Sequence, residues 1–459
     1  MDDKITLNSD NSIATSTLSR DNSTITNSKK TLGILYGIGY NINYIIGAGI
    51  FNPDSLWILA PPGTVLVLYV VCGIISFFGS LVYIELGIRS LPSGIGEQKY
   101  ITDAFHPKEN VGHVFSFAAI FIILPGAIVA ESYINAQYLL YPFRGNLSDD
   151  QIISMIGIGK LVTNHNNWNN IFNASFNFGV YGSRLIKVLF TYEDLIEEFK
   201  PRSDNLEYPS LILKYSSLIS VGISFLLNFL TNAAFITVVG YNVNDNENTP
   251  IAIRFGRELF DGKGEKLMSI LAAISAFGCT SAMIFTYSRI IKYAADTEFI
   301  PRKISSFFKS YGNSDTLTKQ LLAQFCYCLI LTIILLIEKL SIVFDFFSNA
   351  SQYTAMIFHG ASAYCLYRLK KRNLRNPETF SVYKPIVISY LLIIIYIIGA
   401  SFYPPNGKWD DLIPYGISWT TIVLGLIIWY FRNRHRNENS NGEVYEMNEH
   451  SPPVNNQDN

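Results

Sequence analysis

The stretch Tyr44-Ile-Ile-Gly-Ala-Gly-Ile-Phe51 lies inside the first apolar segment of the chain, where a membrane-spanning helix is expected to continue without interruption. Glycine costs about 1 kcal/mol relative to alanine in a helix interior, so Gly47 and Gly49 weaken the helix there. A break frees backbone N–H and C=O groups, which in lipid need partners from protein, water or ligand. Because secondary transporters use such broken helices to bind anionic substrate groups, the stretch points to transport.

The composition is typical of a multi-span membrane protein. Of the 459 residues, 49% are hydrophobic and only 15% are charged, and the mean hydropathy is +0.23. This is too apolar for a soluble protein of this length. The net charge of -1 gives no field that favours a nucleic-acid partner. All five cysteines lie in apolar stretches, so we interpret them as small packing residues and expect neither a disulfide framework nor a metal site.

Nine apolar segments approach or exceed the roughly 20 residues that a helix needs to cross a bilayer core. They cover residues 32–60, 65–88, 114–140, 211–240, 267–291, 321–337, 342–366, 386–402 and 412–430. A tenth segment, 178–195, is interrupted by charged residues. The chain before residue 31 and after residue 432 is polar, so we expect disordered tails at 1–30 and 433–459 around a transmembrane domain at 31–432.

The distribution of basic residues predicts the orientation. Lys and Arg concentrate after the spans that end at residues 291, 366 and 430, whereas the loops on the other side of these spans are nearly bare. Lys29 and Lys30 also precede the first span. By the positive-inside rule both termini are predicted to be cytoplasmic, which requires the tenth segment to cross as well. We therefore expect an integral, multi-pass protein of about ten crossings, in the plasma membrane.

Three longer motifs carry a resemblance to a known family. They are Ala276-Phe-Gly-Cys-Thr-Ser-Ala-Met-Ile-Phe-Thr-Tyr-Ser-Arg289, Val70-Val-Cys-Gly-Ile-Ile-Ser-Phe-Phe-Gly-Ser-Leu-Val-Tyr-Ile-Glu-Leu-Gly87 and Phe380-Ser-Val-Tyr-Lys-Pro385. Together with the glycine break, they resemble the amino acid/polyamine/organocation superfamily. Within it the chain is most similar to the L-type amino acid transporters and the fungal methionine-permease-like proteins. The resemblance covers about residues 31–432.

The resemblance implies an all-α polytopic fold of the amino acid permease type. In that fold two inverted repeats of five helices surround the substrate, as in the leucine transporter. Two family helices between the third span and segment 178–195 have only a short apolar remnant here, at 152–161. The first repeat is therefore predicted to be incomplete. A shortened gene model, a splice form or a descendant that no longer transports would each produce this pattern.

The resemblance also implies where a substrate binds. In relatives the N–H groups at the glycine break hold the substrate carboxylate, which assigns this role here to Gly47, Ala48 and Gly49. The helix dipole and the unpaired donors at a helix start suit a carboxylate. The substrate ammonium lies on carbonyls just before the break, here near Ile45. The alternative interpretation of these glycines is close packing against another helix.

The second broken helix of the family is altered in this chain. Phe190, Thr191 and Tyr192 match the beginning of its motif and are the remaining candidates for that half of the site. Glu193 follows directly, where the family has two glycines and a tryptophan. About two turns of the helix are therefore predicted to be missing.

Ionisable residues within predicted spans are functional candidates, and three of them are considered in turn. Glu131 is a candidate to carry a coupling proton, because burial raises a carboxyl pKa, and the alternative is pairing with a polar neighbour. Glu85 is expected to make structural hydrogen bonds near the cytoplasmic end of the second span. His359 is expected to be a packed, hydrogen-bonded histidine, with a proton relay as the alternative.

The sequence as a whole predicts a secondary transporter of neutral L-amino acids that works by alternating access, with methionine-like substrates suggested by analogy. The alternative is a permease-like nutrient receptor or regulatory protein that does not transport, which the missing Gly-Gly-Trp segment favours.

No catalytic cluster, nucleotide motif or metal-ligand set is present in the sequence, so we expect neither an enzyme nor a cofactor. The expected partners are the amino acid and the lipid bilayer. No disulfide-linked accessory subunit is expected, because the external loop 141–179 has no cysteine.

Overall fold

The computed structural model describes about two thirds of the chain. The described residues are 34–51, 53, 61–90, 96–105, 110–143, 185, 209–240, 249–260, 264–297, 299, 302–308, 317–335, 340–371, 380–403 and 412–449. All regular secondary structure in these ranges is helical.

We number the helices in chain order. They are α1 (Ile34–Ile45), α2 (Pro62–Ser90), α3 (Gly96–Ala104), α4 (His113–Leu140), α5 (Pro209–Val238), α6 (Ile251–Leu259), α7 (Gly264–Asp296), α8 (Arg302–Phe308), α9 (Thr318–Leu335), α10 (Leu340–Lys371), α11 (Lys384–Ala400) and α12 (Ile413–Glu449). A short 3₁₀ turn, Ala48–Phe51, follows α1.

The helices agree with the predicted spans. Within the described part of the chain, α2, α4, α5, α7 and the apolar part of α12 are long and apolar enough to cross a membrane, and α9 and α11 are shorter apolar helices. Helix α10 has 32 residues and covers the predicted span at 342–366. The prediction of an all-α polytopic membrane protein is confirmed. The tenth segment, 178–195, lies outside the described residues except for Leu185, which is helical and buried.

The C-terminal boundary differs from the prediction. Helix α12 continues past residue 432 to Glu449, into the segment expected to form a disordered tail. The predicted boundary marks the end of the apolar residues and not the end of the helix. The next residues are polar, but no proline occurs among them before Pro452, so the backbone can continue in the helical conformation.

Helix α7 lies at the centre of the bundle. It packs against α1, α4, α6 and α9, while α10 packs against α3, α4, α11 and α12. Helix α5 closes the arrangement by packing against α1 and α2. The first helix therefore has α5 on one side and α7 on the other, and α7 brings it close to α4.

Helix α4 contains a π turn at Ala119–Ile123, directly before Pro125. Proline has no N–H, so it cannot bond the carbonyl of Phe121 four residues earlier. The hydroxyl of Tyr327 donates to that carbonyl at 3.1 Å instead. Tyr287 donates to the Ile120 carbonyl at 2.6 Å and Ser351 to the Ile123 carbonyl at 2.6 Å. Three neighbouring helices thus satisfy the backbone where α4 is irregular, as a membrane interior requires.

Helix α5 carries a buried polar stripe. Its members recur every fourth residue, so they share one face of the helix: Ser216, Ser220, Ser224, Asn228 and Asn232. The side chains of Ser220, Asn228 and Asn232 donate to the carbonyl one turn earlier, at 2.6 to 3.0 Å. Ser220 also lies 3.4 Å from the carbonyl of Ile38, so the stripe faces α1.

A buried ion network ties α2 to α10 and to the beginning of α11. Glu85 accepts hydrogen bonds from Arg89 at 2.5 and 2.9 Å, and its second oxygen lies 2.8 Å from the ammonium of Lys370. The same oxygen accepts the N–H of Val382 at 2.7 Å, and Lys370 donates to Ser381 and to the carbonyl of Val382. Glu85 therefore makes the structural hydrogen bonds predicted from its position, and the Phe380-to-Pro385 motif supplies some of its partners.

A second polar cluster lies at the other end of the bundle. Tyr141, just after α4, donates to Glu265 at 2.8 Å, and Arg257 of α6 forms an ion pair with the same carboxylate. Burial, and then the hydrogen bond to the Glu265 carboxylate, raise the pKa of Tyr141. The cluster joins α4, α6 and α7 at their ends.

Replacing Glu85 with Gln should destabilise the fold strongly. The change leaves the buried cations Arg89 and Lys370 without their anion, and removing one partner of a buried pair costs about 3–5 kcal/mol. The control is Asp103→Asn, which breaks a pair with Lys99, whose side chain is partly exposed. Because Lys99 can reach solvent when its partner is lost, we expect a smaller shift than at Glu85. The melting temperature of each purified variant in detergent, compared with that of the wild-type chain, measures the two losses of stability. Equal shifts in the two variants would contradict the structural role of Glu85.

Candidate functional site

The first predicted span is not a continuous helix. Helix α1 ends at Ile45, residues 46 and 47 form a bend, and a 3₁₀ turn begins at Ala48. The last regular helical bond runs from the Ile46 N–H to the Ile42 carbonyl at 2.9 Å. The Gly47 N–H then turns back to the Ile45 carbonyl at 3.1 Å. The helix is thus broken at the glycine pair.

Helix α7 supplies donors for the carbonyls at this break. Ser275 donates to the carbonyl of Ile46 at 2.8 Å, and the thiol of Cys279 donates to the carbonyl of Tyr44 at 3.0 Å. In the other direction, the amide of Asn43 donates to the carbonyl of Gly278 at 3.0 Å. These bonds replace those that a continuous helix would make and hold α1 in register against α7.

Glycine is required at position 47 for steric reasons. A Cβ atom there would lie 2.8 Å from the sulfur of Cys279 and 2.8 Å from a carboxyl oxygen of Glu131, closer than real Cβ contacts. Both neighbouring side chains are buried. The backbone of the break therefore lies in direct contact with a carboxyl group from α4 and a thiol from α7.

The far side of the break is held by α4. Tyr138 donates to the carbonyl of Phe51 at 2.5 Å, and the two rings meet edge to face. Ser269 of α7 in turn donates to the carbonyl of Tyr138. The 3₁₀ turn is thus fixed to the same two helices that flank Gly47.

The structure brings one half of the predicted site together. Ile45, Gly47 and Gly49 are buried, and the backbone of Ala48 lies in the 3₁₀ turn. Glu131, a candidate coupling residue from its position in the third span, lies beside the break. The other predicted half, Phe190, Thr191 and Tyr192, lies outside the described residues.

The sequence reasoning missed the residues of α7 that face the break. Cys279 was interpreted as a packing residue, but its thiol also donates to a backbone carbonyl of α1. The available signal was the spacing of Ser275, Gly278 and Cys279. Small residues at positions i, i+3 and i+4 lie on one helix face and let another backbone approach.

Most of the chain is similar to one known protein family. The model of the amino acid permease family matches residues 38–162 and 151–431. The two matches meet in the segment where the sequence predicts missing helices. The b(0,+)-type amino acid transporter 1 of Homo sapiens is 24% identical over 418 residues, covering 81% of this chain and 82% of that protein.

Two further relatives carry transporter names. Large neutral amino acids transporter small subunit 2 of Homo sapiens is 22% identical over 471 residues, covering 88% of this chain and 80% of that protein. The cystine/glutamate transporter of Homo sapiens is 26% identical over 323 residues, which cover 60% of this chain and 63% of that protein.

The family match covers most of the chain, and the described part of the structure is the helical bundle that a permease requires. Proteins of the amino acid permease family are membrane transport proteins and not enzymes. The chain belongs to the amino acid permease family.

Proposed function

We propose that this permease moves neutral L-amino acids across the plasma membrane by alternating access, with methionine-like substrates as the first candidates and both termini in the cytoplasm. The observation that carries the proposal is the break of α1 at Gly47, where backbone groups within the first predicted span meet Glu131 and helix α7. A broken helix at such a depth is tolerated where it is buried in protein or lines a cavity.

The substrate carboxylate would bind at the amides of Gly47, Ala48 and Gly49. In this structure the Gly47 N–H bonds the Ile45 carbonyl, so substrate has to break that bond before this amide can contribute. The ammonium would bind at the Ile45 carbonyl, because a carbonyl oxygen has two lone pairs and can accept a second hydrogen bond. Phe190, Thr191 and Tyr192 would complete the site from the second broken helix.

Glu131 would couple the substrate to a proton. Its carboxyl group lies beside Gly47, so an ionised Glu131 and a substrate carboxylate would be close neighbours. Two like charges 4 Å apart repel by about 4 kcal/mol at an effective dielectric constant of 20. A proton on Glu131 removes this repulsion, so proton and amino acid favour each other's binding, and this linkage is reciprocal.

An uncharged substrate side chain fits the described surroundings of the break. Asn43, Ser275 and Cys279 are polar or thiol groups without formal charge. The relative named as a large neutral amino acids transporter subunit also matches more of the chain than the cystine/glutamate transporter does. Although that relative's name makes it a subunit, we propose no disulfide-linked partner here, since residues 141–179 contain no cysteine.

Reconstituted vesicles containing the full chain should take up labelled methionine and leucine but not arginine. The reason is that a zwitterion balances its own charges at the break, whereas arginine would bring an unpaired cation. Vesicles without protein are the control. Uptake of arginine alone, or of none of the three, would contradict the proposed substrate class, and saturable binding of methionine without uptake would select a nutrient receptor.

The variant Gly47→Ala should bind methionine about tenfold more weakly or worse. The added methyl displaces Glu131 or Cys279 from the break, and losing one charge-assisted hydrogen bond of about 1.5–3 kcal/mol corresponds to about tenfold or more in affinity. The matched control is Gly39→Ala on the same helix, because a Cβ there meets nothing within 4 Å. Ligand-induced thermal shifts measure affinity and folding together. Unchanged methionine affinity in a folded Gly47→Ala protein would place the substrate elsewhere.

The variant Glu131→Gln should make methionine uptake independent of external pH. Glutamine has the shape of a protonated glutamate but cannot release a proton, so the repulsion that couples proton and substrate is absent. Wild-type uptake should fall as the pH rises, and the ratio of acidic to alkaline uptake should approach one in the variant. A variant that keeps the wild-type pH profile would exclude Glu131 as the coupling group.

A further inference from the structure

A second group of buried titratable side chains lies away from the break. Glu97 of α3, Tyr83 of α2 and His359 of α10 are each at least 97% buried. The Tyr83 hydroxyl donates to a carboxyl oxygen of Glu97 at 2.8 Å and lies 2.7 Å from Nδ1 of His359. Nδ1 of His359 lies 3.5 Å from the same carboxyl oxygen. The hydroxyl of Tyr83 therefore bridges a carboxylate and an imidazole that belong to two other helices.

The number of available hydrogens limits where they can lie on Glu97, Tyr83 and His359. A tyrosine hydroxyl has one hydrogen. Because Tyr83 gives it to Glu97, Nδ1 of His359 has to donate its own hydrogen to the Tyr83 oxygen. In its neutral form, this imidazole has a lone pair on Nε2. That atom is buried and has no hydrogen-bond partner among the residues that the structure describes. A buried polar atom without a partner requires an explanation.

We infer that Glu97, Tyr83 and His359 form a proton relay that takes up one proton at Nε2 of His359 and stores it on Glu97. The incoming proton binds Nε2, the Nδ1 hydrogen moves to the Tyr83 oxygen, and the Tyr83 hydrogen moves to Glu97. Afterwards Tyr83 donates to Nδ1 and accepts from the carboxylic acid. One proton has been added, both hydrogen bonds have reversed direction, and the charge of the three groups has changed from minus one to zero.

The surroundings allow this change of charge. From α2, Glu85 holds Arg89, and from α10, Lys370 binds the same Glu85. With Glu97 ionised, Glu85 and Glu97 balance Arg89 and Lys370, and Arg368 of α10 adds a further cation over the ring of Phe105, just after α3. Proton uptake therefore makes this part of the bundle more positive.

Other groups around the three relay members are neutral or paired. The ring of Tyr100 packs edge to face on Tyr83, and the nearby Ser362 of α10 is buried and uncharged. Tyr390 of α11 interacts electrostatically with Glu97. On α3 itself, Lys99 is paired with Asp103. The other carboxylates named near the relay, Glu85 and Asp103, are each paired with basic side chains.

The relay links protonation to helix packing. Its hydrogen bonds hold the short helix α3 between α2 and α10, and their direction reverses when a proton enters. Nε2 of His359 has no hydrogen-bond partner among the described residues, so the proton enters the relay at this atom. This inference does not rest on the proposed substrate, because it concerns the protein without ligand and a carboxyl group other than Glu131.

Infrared difference spectra of the purified full chain, recorded between neutral and mildly acidic buffer without substrate, test the relay. Acidification should produce the carbonyl band of a protonated carboxylic acid. The part of this band that comes from Glu97 should be absent in Glu97→Gln. It should also be absent in Tyr83→Phe, because the bridging hydroxyl is gone. Tyr100→Phe, which removes a hydroxyl outside the relay, is the matched control and should keep the component. Melting temperatures confirm that each variant is folded.

Three results would overturn the relay: no carboxylic acid band in the wild-type chain, a band that survives Glu97→Gln unchanged, or a band that survives Tyr83→Phe unchanged. The first needs no variant, so the relay can fail even if the variants do not fold. A band that only Glu131→Gln removes also counts against it. A Glu97 band in a chain that takes up no amino acid would support the relay and contradict the proposed function. Amino acid uptake by a chain without this band would support the proposed function and contradict the relay.

Discussion

The fold depends on one constraint: inside a membrane every backbone N–H and C=O group needs a partner. Among the described helices, two depart from regular helix geometry: α1 at Gly47 and α4 before Pro125. At both places side chains of neighbouring helices replace the missing backbone bonds, through Ser275 and Cys279 at the first and through Tyr287 and Tyr327 at the second. Helix α7 contributes to both, which explains why it lies at the centre of the bundle.

The same constraint separates the molecule into parts with different roles. Where α1 is broken, backbone groups and Glu131 lie in contact, so a small change in ligand or protonation can alter the bonds. At one end of the bundle the Glu85 network fixes α2 to α10 and α11 by charged hydrogen bonds. Between these places lies the Tyr83 bridge, whose hydrogen bonds can reverse direction without being lost. Alternating access moves rigid groups of helices about a deformable centre. A transporter therefore needs fixed contacts such as the Glu85 network and changeable contacts such as those at the α1 break.

The sequence predicted those features that depend on local residue type. Hydropathy located the spans, and Gly47 and Gly49 located the break, because glycine weakens a helix wherever it occurs. The partners of the break were not predictable, since Cys279 is more than 200 residues away along the chain and reaches Tyr44 only through the packing of α7. Hydropathy also placed the end of α12 too early, because it reports apolar composition and not backbone conformation. Glu97 was missed for a related reason: it follows a span in a polar segment, and only the tertiary fold buries it.

The central claim is that the interrupted backbone at residues 47–49 binds the carboxylate of an amino acid. An experimental structure of the full chain with bound L-methionine tests it most directly. The account predicts the ligand carboxylate within hydrogen-bond distance of the amides of Ala48 and Gly49, with the carboxyl group of Glu131 beside it. A ligand bound elsewhere, with α1 closed against α7 as it is in the ligand-free molecule, would contradict the account.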